Sequence, residues 1–486
     1  MERREIASQL RGLTKDASLY NAGGILTKAI AFLLIPVYTR FLSPADYGII
    51  SLVSTIAYVL LIFYEMGLIT AATRFYYDFK SEQEKKEYFG TVLLFLCGFT
   101  LIITIVLENI ARKISPFLFS DVAFNPYIRI AIWIPFFQSL PPLVYALYRV
   151  KEQPYRFVIF SIFAFIIEIG LIIYFVVFLK QEALGKINAT LIASGLIYII
   201  SLIILFNHTI LKFSYSKIWN SLKFGLPLIP HTVAHWVLKL SDRIILQKYA
   251  PLSDVGLYTL GYNLGMILFL FTASFNNAWA PFLYKNANIM PKQVFAKIGI
   301  AYCFIVVFIG LLLSIFAKEI MIIVSTPKFY GAATVIPLVV AGYVFQGLYL
   351  LPVNQLFFLK QTRYLPTATM VSALINIILN LLFIPKFGMS AAAFNTFLSY
   401  LILFILVFFY SQRHFPISYD YRKFAIILLI GIFSYFLAIN SIVLFKNNFS
   451  IVTCKIFVLS LFIISGYFLF KKDINLLKNN VFVKEK

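Results

Sequence analysis

Arg40-Phe-Leu-Ser-Pro-Ala-Asp46-Tyr-Gly48-Ile-Ile-Ser-Leu52 reappears, 208 residues later, as Lys248-Tyr-Ala-Pro-Leu-Ser-Asp254-Val-Gly256-Leu-Tyr-Thr-Leu260. Asp46/Asp254, Gly48/Gly256 and Leu52/Leu260 are identical, and Asp and Gly are both scarce in apolar sequence, so the match carries more weight than a match of leucines. At the same offset Ile166-Ile-Glu168-Ile-Gly-Leu-Ile172 falls on Leu374-Ile-Asn376-Ile-Ile-Leu-Asn380 without a gap. The chain is therefore read as a duplicated unit.

Around these segments the 486 residues are 61% hydrophobic and only 13% charged, against roughly 25% charged in soluble domains. A soluble protein is excluded. Apolar runs fall near 18–39, 46–68, 89–110, 128–149, 157–179 and 188–208, then 225–246, 253–275, 296–317, 331–358, 364–384 and 389–410, then 423–445 and 450–470. Each is long enough to cross a bilayer, which takes about 20 residues. The expected fold is all-α, a polytopic membrane protein of about fourteen spans. Six spans separate the two copies, so both have the same orientation and are related by an axis along the membrane normal. The expected division is 1–208 and 209–416 as two six-helix lobes with a cavity between them, and 417–486 as two further helices with a tail.

The net charge of +22 could suggest nucleic acid, but that needs the charges gathered on one exposed face. Here they lie in short loops. The N-terminus, the even-numbered loops and the tail hold 27 Lys and Arg against 10 in the odd-numbered loops, which predicts cytoplasmic termini. The charged N-terminus leads into a long apolar run with no small-residue cleavage site, the pattern of a retained first helix. Cys97, Cys303 and Cys454 sit in apolar segments with no metal-ligand or redox spacing. No loop exceeds about 20 residues, the size of one short helix, so no extramembrane enzyme domain is expected. No phosphate-cradling GxxxxGK[ST] is present, and a nucleotide-driven pump would need one.

Further short motifs punctuate the chain: Pro36-Val-Tyr-Thr-Arg40 running into Asp46-Tyr47-Gly48, Gly67-Leu68 with Arg74, and Phe224-Gly-Leu-Pro-Leu-Ile-Pro230 with Asp242-Arg243. Asn376-Ile-Ile-Leu-Asn380-Leu-Leu-Phe-Ile-Pro385-Lys-Phe-Gly388 follows. In order and spacing these resemble the polysaccharide-export branch of the multidrug/oligosaccharidyl-lipid/polysaccharide (MOP) flippase superfamily, which includes the O-antigen (Wzx-type) flippases of lipopolysaccharide synthesis. The resemblance implies flipping of undecaprenyl-pyrophosphate-linked oligosaccharide from the cytoplasmic to the outer leaflet of a bacterial inner membrane, with no enzymatic step and no cofactor; since no nucleotide motif offers another energy source, an H+ or Na+ gradient is expected to drive it. It also implies membrane lipids and a glycan polymerase or ligase as partners. The alternatives are a multidrug exporter of the same superfamily and a membrane-embedded glycan polymerase or ligase; the missing large outer loop argues against the second.

Charged residues inside spans mark candidate sites, since a Lys at the bilayer centre costs about 2.5–3.5 kcal/mol on insertion scales. Lys28 has two open readings, an anion contact in the lumen or an ion pair with Glu168, and Asn21 shares its face. In the seventh span His231, His235, Lys239 and Asp242 project at about 0, 40, 80 and 20° on a wheel of 100° per residue, one polar face expected to line the cavity. The two histidines make half a metal site, but no third ligand completes it, so they are either core residues or proton-responsive. Asp242 and Arg243 are either a lobe-locking ion pair or part of ion coupling. Glu168 is the best-placed carboxylate for coupling, Glu65 is expected to pair with Arg74, and Arg40/Asp46 and Lys248/Asp254 are expected to cap turns. Pro141-Pro142, Pro227, Pro230 and Pro352 should mark kinks.

Overall fold

The computed structural model describes residues 32–119, 121–444 and 447–481, all of it helices and their connections. Contacts divide the chain into two compact units, residues 1–259 and 260–486. The first holds α1 (Ile35–Phe41), α2 (Pro44–Glu65), α3 (Leu68–Phe75), α4 (Glu82–Leu118), α5 (Arg129–Gln138), α6 (Pro141–Val150), α7 (Pro154–Ile172), α8 (Glu182–His208), α9 (Tyr215–Gly225), α10 (Ile229–Tyr249) and the start of α11 (Leu252–Gly265). The second continues with α12 (Ile267–Asn286), α13 (Lys292–Ile315), α14 (Ala317–Val324), α15 (Ile336–Leu348), α16 (Leu350–Phe358), α17 (Tyr364–His414), α18 (Tyr421–Leu444) and α19 (Asn448–Val481).

Eleven described helical segments are long and apolar enough to cross a membrane, and the chain is a multi-pass membrane protein. The count of fourteen is not reproduced on that criterion, for three physical reasons. The first expected span lies mostly outside the described residues. α10 carries too many charges to qualify by composition. α17 runs through two expected spans, turning at Gly388, whose φ of 56° and ψ of −137° suit glycine alone. Pro141 and Pro352 do mark breaks, with new helices beginning at Pro141 and Leu350. Pro227 lies in a single 3-10 turn, Leu226–Leu228, and Pro230 in the first turn of α10, where a missing amide proton costs no helix hydrogen bond.

In the first unit α2 packs on α5, α8 and α10. Ser43 and Asp46 form a capping box at the start of α2, the Ser43 amide donating to Asp46 Oδ2 at 2.9 Å and the Asp46 amide to Ser43 Oγ at 3.2 Å. Asp46 is therefore a cap, which accounts for it ahead of an apolar run. The linker after α8 is strapped to α4. The Ile210 amide donates to Lys86 O at 3.1 Å, Thr91 Oγ1 donates to Lys212 O at 2.8 Å, and Tyr88 Oη and Ser221 Oγ share a hydrogen bond of 2.8 Å. Lys212 and Lys217 both reach Glu87, at 3.1 and 3.4 Å. Nearby, in the turn after α6, burial pushes the Lys151 ammonium below the ordinary lysine range, with Glu82 pulling the other way.

In the second unit α13 packs on α15 and α18, and α15 on α17. Lys455, buried in α19, donates to Glu319 Oε1 at 2.6 Å and lies 5.6 Å from the centre of the Phe316 ring. Glu319→Gln removes the counter-charge while keeping the shape, and we expect it to lower stability by about 1–3 kcal/mol. Thermal unfolding of the purified protein in detergent reads this; an unchanged midpoint would mean that Lys455 reaches water without its partner.

Candidate functional site

The duplicated segments meet. Ser51 Oγ and Thr259 Oγ1, positions equivalent in the repeat, share a buried hydrogen bond of 2.8 Å. A Cβ on Gly48 would stand 2.1 Å from Leu252 O, and one on Gly256 would stand 1.8 Å from Pro44 O. Pro44 and Leu252 are also 208 apart, so each contact has its mirror: residue i of one copy meets residue j of the other, and j meets i. That reciprocity is the mark of a two-fold axis. Only glycine lets the two backbones approach this closely.

α10 is set against α2 by Trp236, whose Nε1 donates to Thr55 O at 3.2 Å. Along α10, His231 and His235 meet edge to face with ring centres 4.7 Å apart, and both are half-buried. Lys239 is half-buried too, and its carbonyl accepts from Arg243 Nη1 at 2.7 Å. Asp242 and Arg243 are 1% and 2% exposed and pair at 3.1 Å. The Tyr258 hydroxyl donates to the other Asp242 oxygen, and its ring centre lies 5.5 Å from the guanidinium. The expected face thus divides into a histidine pair and Lys239 at partial depth, and a fully buried Asp242–Arg243–Tyr258 cluster. Among the described residues no group of three metal-ligating side chains forms.

Lys28 and Asn21 lie outside the described residues. Glu168, on α7, has its electrostatic neighbour in Lys186 of α8, which sits 5.1 Å from the Tyr38 ring centre. Lys186 falls between the expected spans 157–179 and 188–208, but α8 begins already at Glu182 and takes it in. The expected Glu65–Arg74 pair does not form. Arg74 pairs with Asp78 at 2.6 Å, the i,i+4 partner that the end of α3 presents.

Sequence reading also passed over a buried ladder within α17. Asn380 Nδ2 donates to Asn376 Oδ1, Asn395 Nδ2 to Asn380 Oδ1 and Asn376 Nδ2 to Ser399 Oγ, each at 3.0 Å. The signal was present as amides and hydroxyls at i,i+4 spacing, Asn376/Asn380 and Asn395/Ser399, in otherwise apolar helix.

A family described as "Polysaccharide biosynthesis protein" matches residues 13–287, which contain both copies of the Asp-x-Gly segment and all of α10. The chain belongs to that family. Among curated relatives, the chain is 23% identical over 377 residues to the Lsg locus putative protein 1 of Haemophilus influenzae, covering 75% of the chain and 89% of the relative. In fold it matches the lipid II flippase MurJ in an inward closed conformation, at TM-score 0.75 and 15% identity over 94% of this chain and 99% of that one. It also matches an inward-facing multidrug resistance MATE family transporter of the MOP superfamily, at TM-score 0.61 and 14% identity over 82% and 94% of the two chains. The chain therefore shares the fold of these two transporters.

Proposed function

We propose that the protein flips a polyprenyl-pyrophosphate-linked oligosaccharide from the cytoplasmic to the outer leaflet of a bacterial inner membrane, with both termini cytoplasmic, by alternating access. The observation that carries this reading is the polysaccharide family match, which spans both copies of the repeat contact and so ties a glycan pathway to a duplicated carrier. A carrier built this way needs to separate and rejoin its copies, and a backbone contact between glycines has little side-chain interlocking to undo. Lys28, in the first expected span, and Lys239, on α10, supply the charge for the pyrophosphate. The anion offsets their mutual repulsion, so the loaded carrier favours a state that the empty one does not.

The test is glycan export in a null strain complemented by Lys28→Ala, Lys239→Ala or the double variant, with membrane abundance followed by blot. We expect each alanine variant to reduce export more than abundance, and Lys28→Arg and Lys239→Arg to retain most of it, because charge is the requirement. Wild-type export from both alanine variants would sink the lysine assignment. Failure of the intact protein to restore glycan export, with efflux of cationic drugs instead, would favour the multidrug exporter.

A further inference from the structure

A cavity of about 350 Å³ opens beside the last turns of α4, walled by Leu60 of α2, Ile110 and Ile114 of α4, Ile132 of α5 and Ile244 of α10. Among its described lining residues Ser115 alone carries a polar side chain. Ser115 is 3% exposed, and its hydroxyl has no hydrogen-bond partner among the described residues. Ser201 and Ser241, also buried in helices, each donate to the carbonyl one turn back at 2.7 Å. Buried hydroxyls are normally partnered, so the exception at Ser115 points to an acceptor from outside the chain.

The cavity is flanked by positive charge. On a wheel of 100° per residue Arg112 projects about 60° past Ser115, and Lys113 projects about 60° past Ile110 on the other side of the apolar stripe. Both are exposed. Glu108, the acid one turn before Arg112, is already taken by Arg129 Nε at 2.8 Å and Trp133 Nε1 at 2.9 Å. Asp121, past the end of α4, is exposed and pairs with neither cation. Arg112 lies instead 5.9 Å from the centre of the Phe124 ring. The apolar run of α4 ends near residue 110, so Arg112, Lys113 and Ser115 stand where hydrocarbon gives way to headgroups.

In a bilayer an apolar cavity by itself selects nothing, because lipid chains are as apolar as the side chains that wall it. The polar rim makes the choice. It offers a guanidinium for a phosphate, a hydroxyl for a carbonyl oxygen and, between them and the helix core, room for hydrocarbon. A glycerophospholipid carries these three groups together: a phosphate, an ester carbonyl a few bonds away, and an acyl chain. A polyprenyl phosphate has no carbonyl, since its phosphate is bonded directly to the hydrocarbon. We propose that the end of α4 binds one anionic glycerophospholipid, with its phosphate on Arg112, an ester carbonyl accepting from Ser115 and an acyl chain in the cavity. Lys113 strengthens the attraction from the opposite flank. On the proposed topology the lipid belongs to the outer leaflet, and its chain fills the space that α2, α4, α5 and α10 leave between them.

The experiment uses the full chain in vesicles that carry a trace of phospholipid with a photoreactive diazirine in one acyl chain. The headgroup is glycerol in one set and choline in the other. After illumination, peptide mass spectrometry locates the adducts. We expect them on residues 107–119 or 128–132, about tenfold more from phosphatidylglycerol than from phosphatidylcholine, the scale of one or two basic side chains acting on an anionic lipid near the surface. Arg112→Gln, at an exposed position that the fold does not need, should remove most of that preference. Ser115→Ala should lower labelling by both lipids and leave their ratio unchanged. Unlabelled phosphatidylglycerol should displace the probe, and its ether-linked analogue, which lacks the carbonyl, should do so several-fold less well. Equal labelling by the two lipids, adducts only outside the cavity, or an Arg112→Gln chain that keeps the preference would overturn the proposal. Undecaprenyl phosphate displacing the probe better than phosphatidylglycerol would also overturn it and assign the cavity to an isoprenoid. Glycan has no part in any of these readouts, so the site stands or falls separately from the flippase reading.

Discussion

Asp242→Ala should be among the most damaging single substitutions in the chain, lowering stability by about 3–5 kcal/mol. Its side chain is 1% exposed, and removing it strips both Arg243, 2% exposed, and the Tyr258 hydroxyl of their shared acceptor. A buried guanidinium that loses its carboxylate loses the counter-charge that offsets its desolvation. Tyr258→Phe removes a single hydrogen bond and should cost much less, about 1–2 kcal/mol. The double variant Asp242→Leu with Arg243→Leu should recover much of the loss, because a paired charge replaced by apolar bulk is often close to neutral. Membrane abundance and thermal unfolding in detergent read all three. Normal abundance of Asp242→Ala would mean that water reaches Arg243 and that the cluster serves transport more than folding.

The second large effect is expected at the repeat axis. A methyl group on Gly256 must displace Pro44 O from 1.8 Å, and one on Gly48 must displace Leu252 O from 2.1 Å. Backbone atoms at a helix start have little room to yield, and overpacking costs about 1–3 kcal/mol even where side chains can adjust. Gly48→Ala or Gly256→Ala should therefore separate the copies at this point. Cross-linking between cysteines at Ser51 and Thr259, now joined at 2.8 Å, should fall about tenfold, the ratio that corresponds to about 1.4 kcal/mol. Both substitutions relieve strain by the same separation, so the double variant should cost little more than either single one, a non-additivity expected of sites in contact. Additive losses would show that the two halves of the contact yield independently.

The duplication was legible in the sequence because its marker residues, Asp and Gly, are needed for backbone reasons that apolar substitution cannot meet. Asp46 caps a helix and Gly48 admits a neighbouring backbone, so both stand out in a chain of Phe, Leu and Ile. Spans were legible for the same compositional reason. What was hidden were the pairings. Glu65, Asp78 and Glu82 all lie near Arg74 in sequence, and only the folded chain picks out Asp78. Lys186 looked like loop because polar residues precede it, whereas the helix that contains it starts at one of them, Glu182. The Asn ladder needed the turn at Gly388 to fold one half of α17 on the other. In each case the missing information was three-dimensional, with the residue types already suggestive.

The strap from Ile210 to Gly225 fixes a length. Its first residues are hydrogen-bonded to α4, its helix is tied there through Ser221 and Lys217, and its last residue abuts Gly67. No slack remains to absorb an inserted residue before α10 begins at Ile229. One extra amino acid after Gly225 would be passed on as a turn of about 100° in helical phase. Trp236 would leave Thr55, and Asp242 would swing from Tyr258 toward a different wall. The joint between the two halves of the duplication thus acts as a keyed coupling, tolerant of changes in residue type and intolerant of changes in length, unlike the freely variable loops common on protein surfaces.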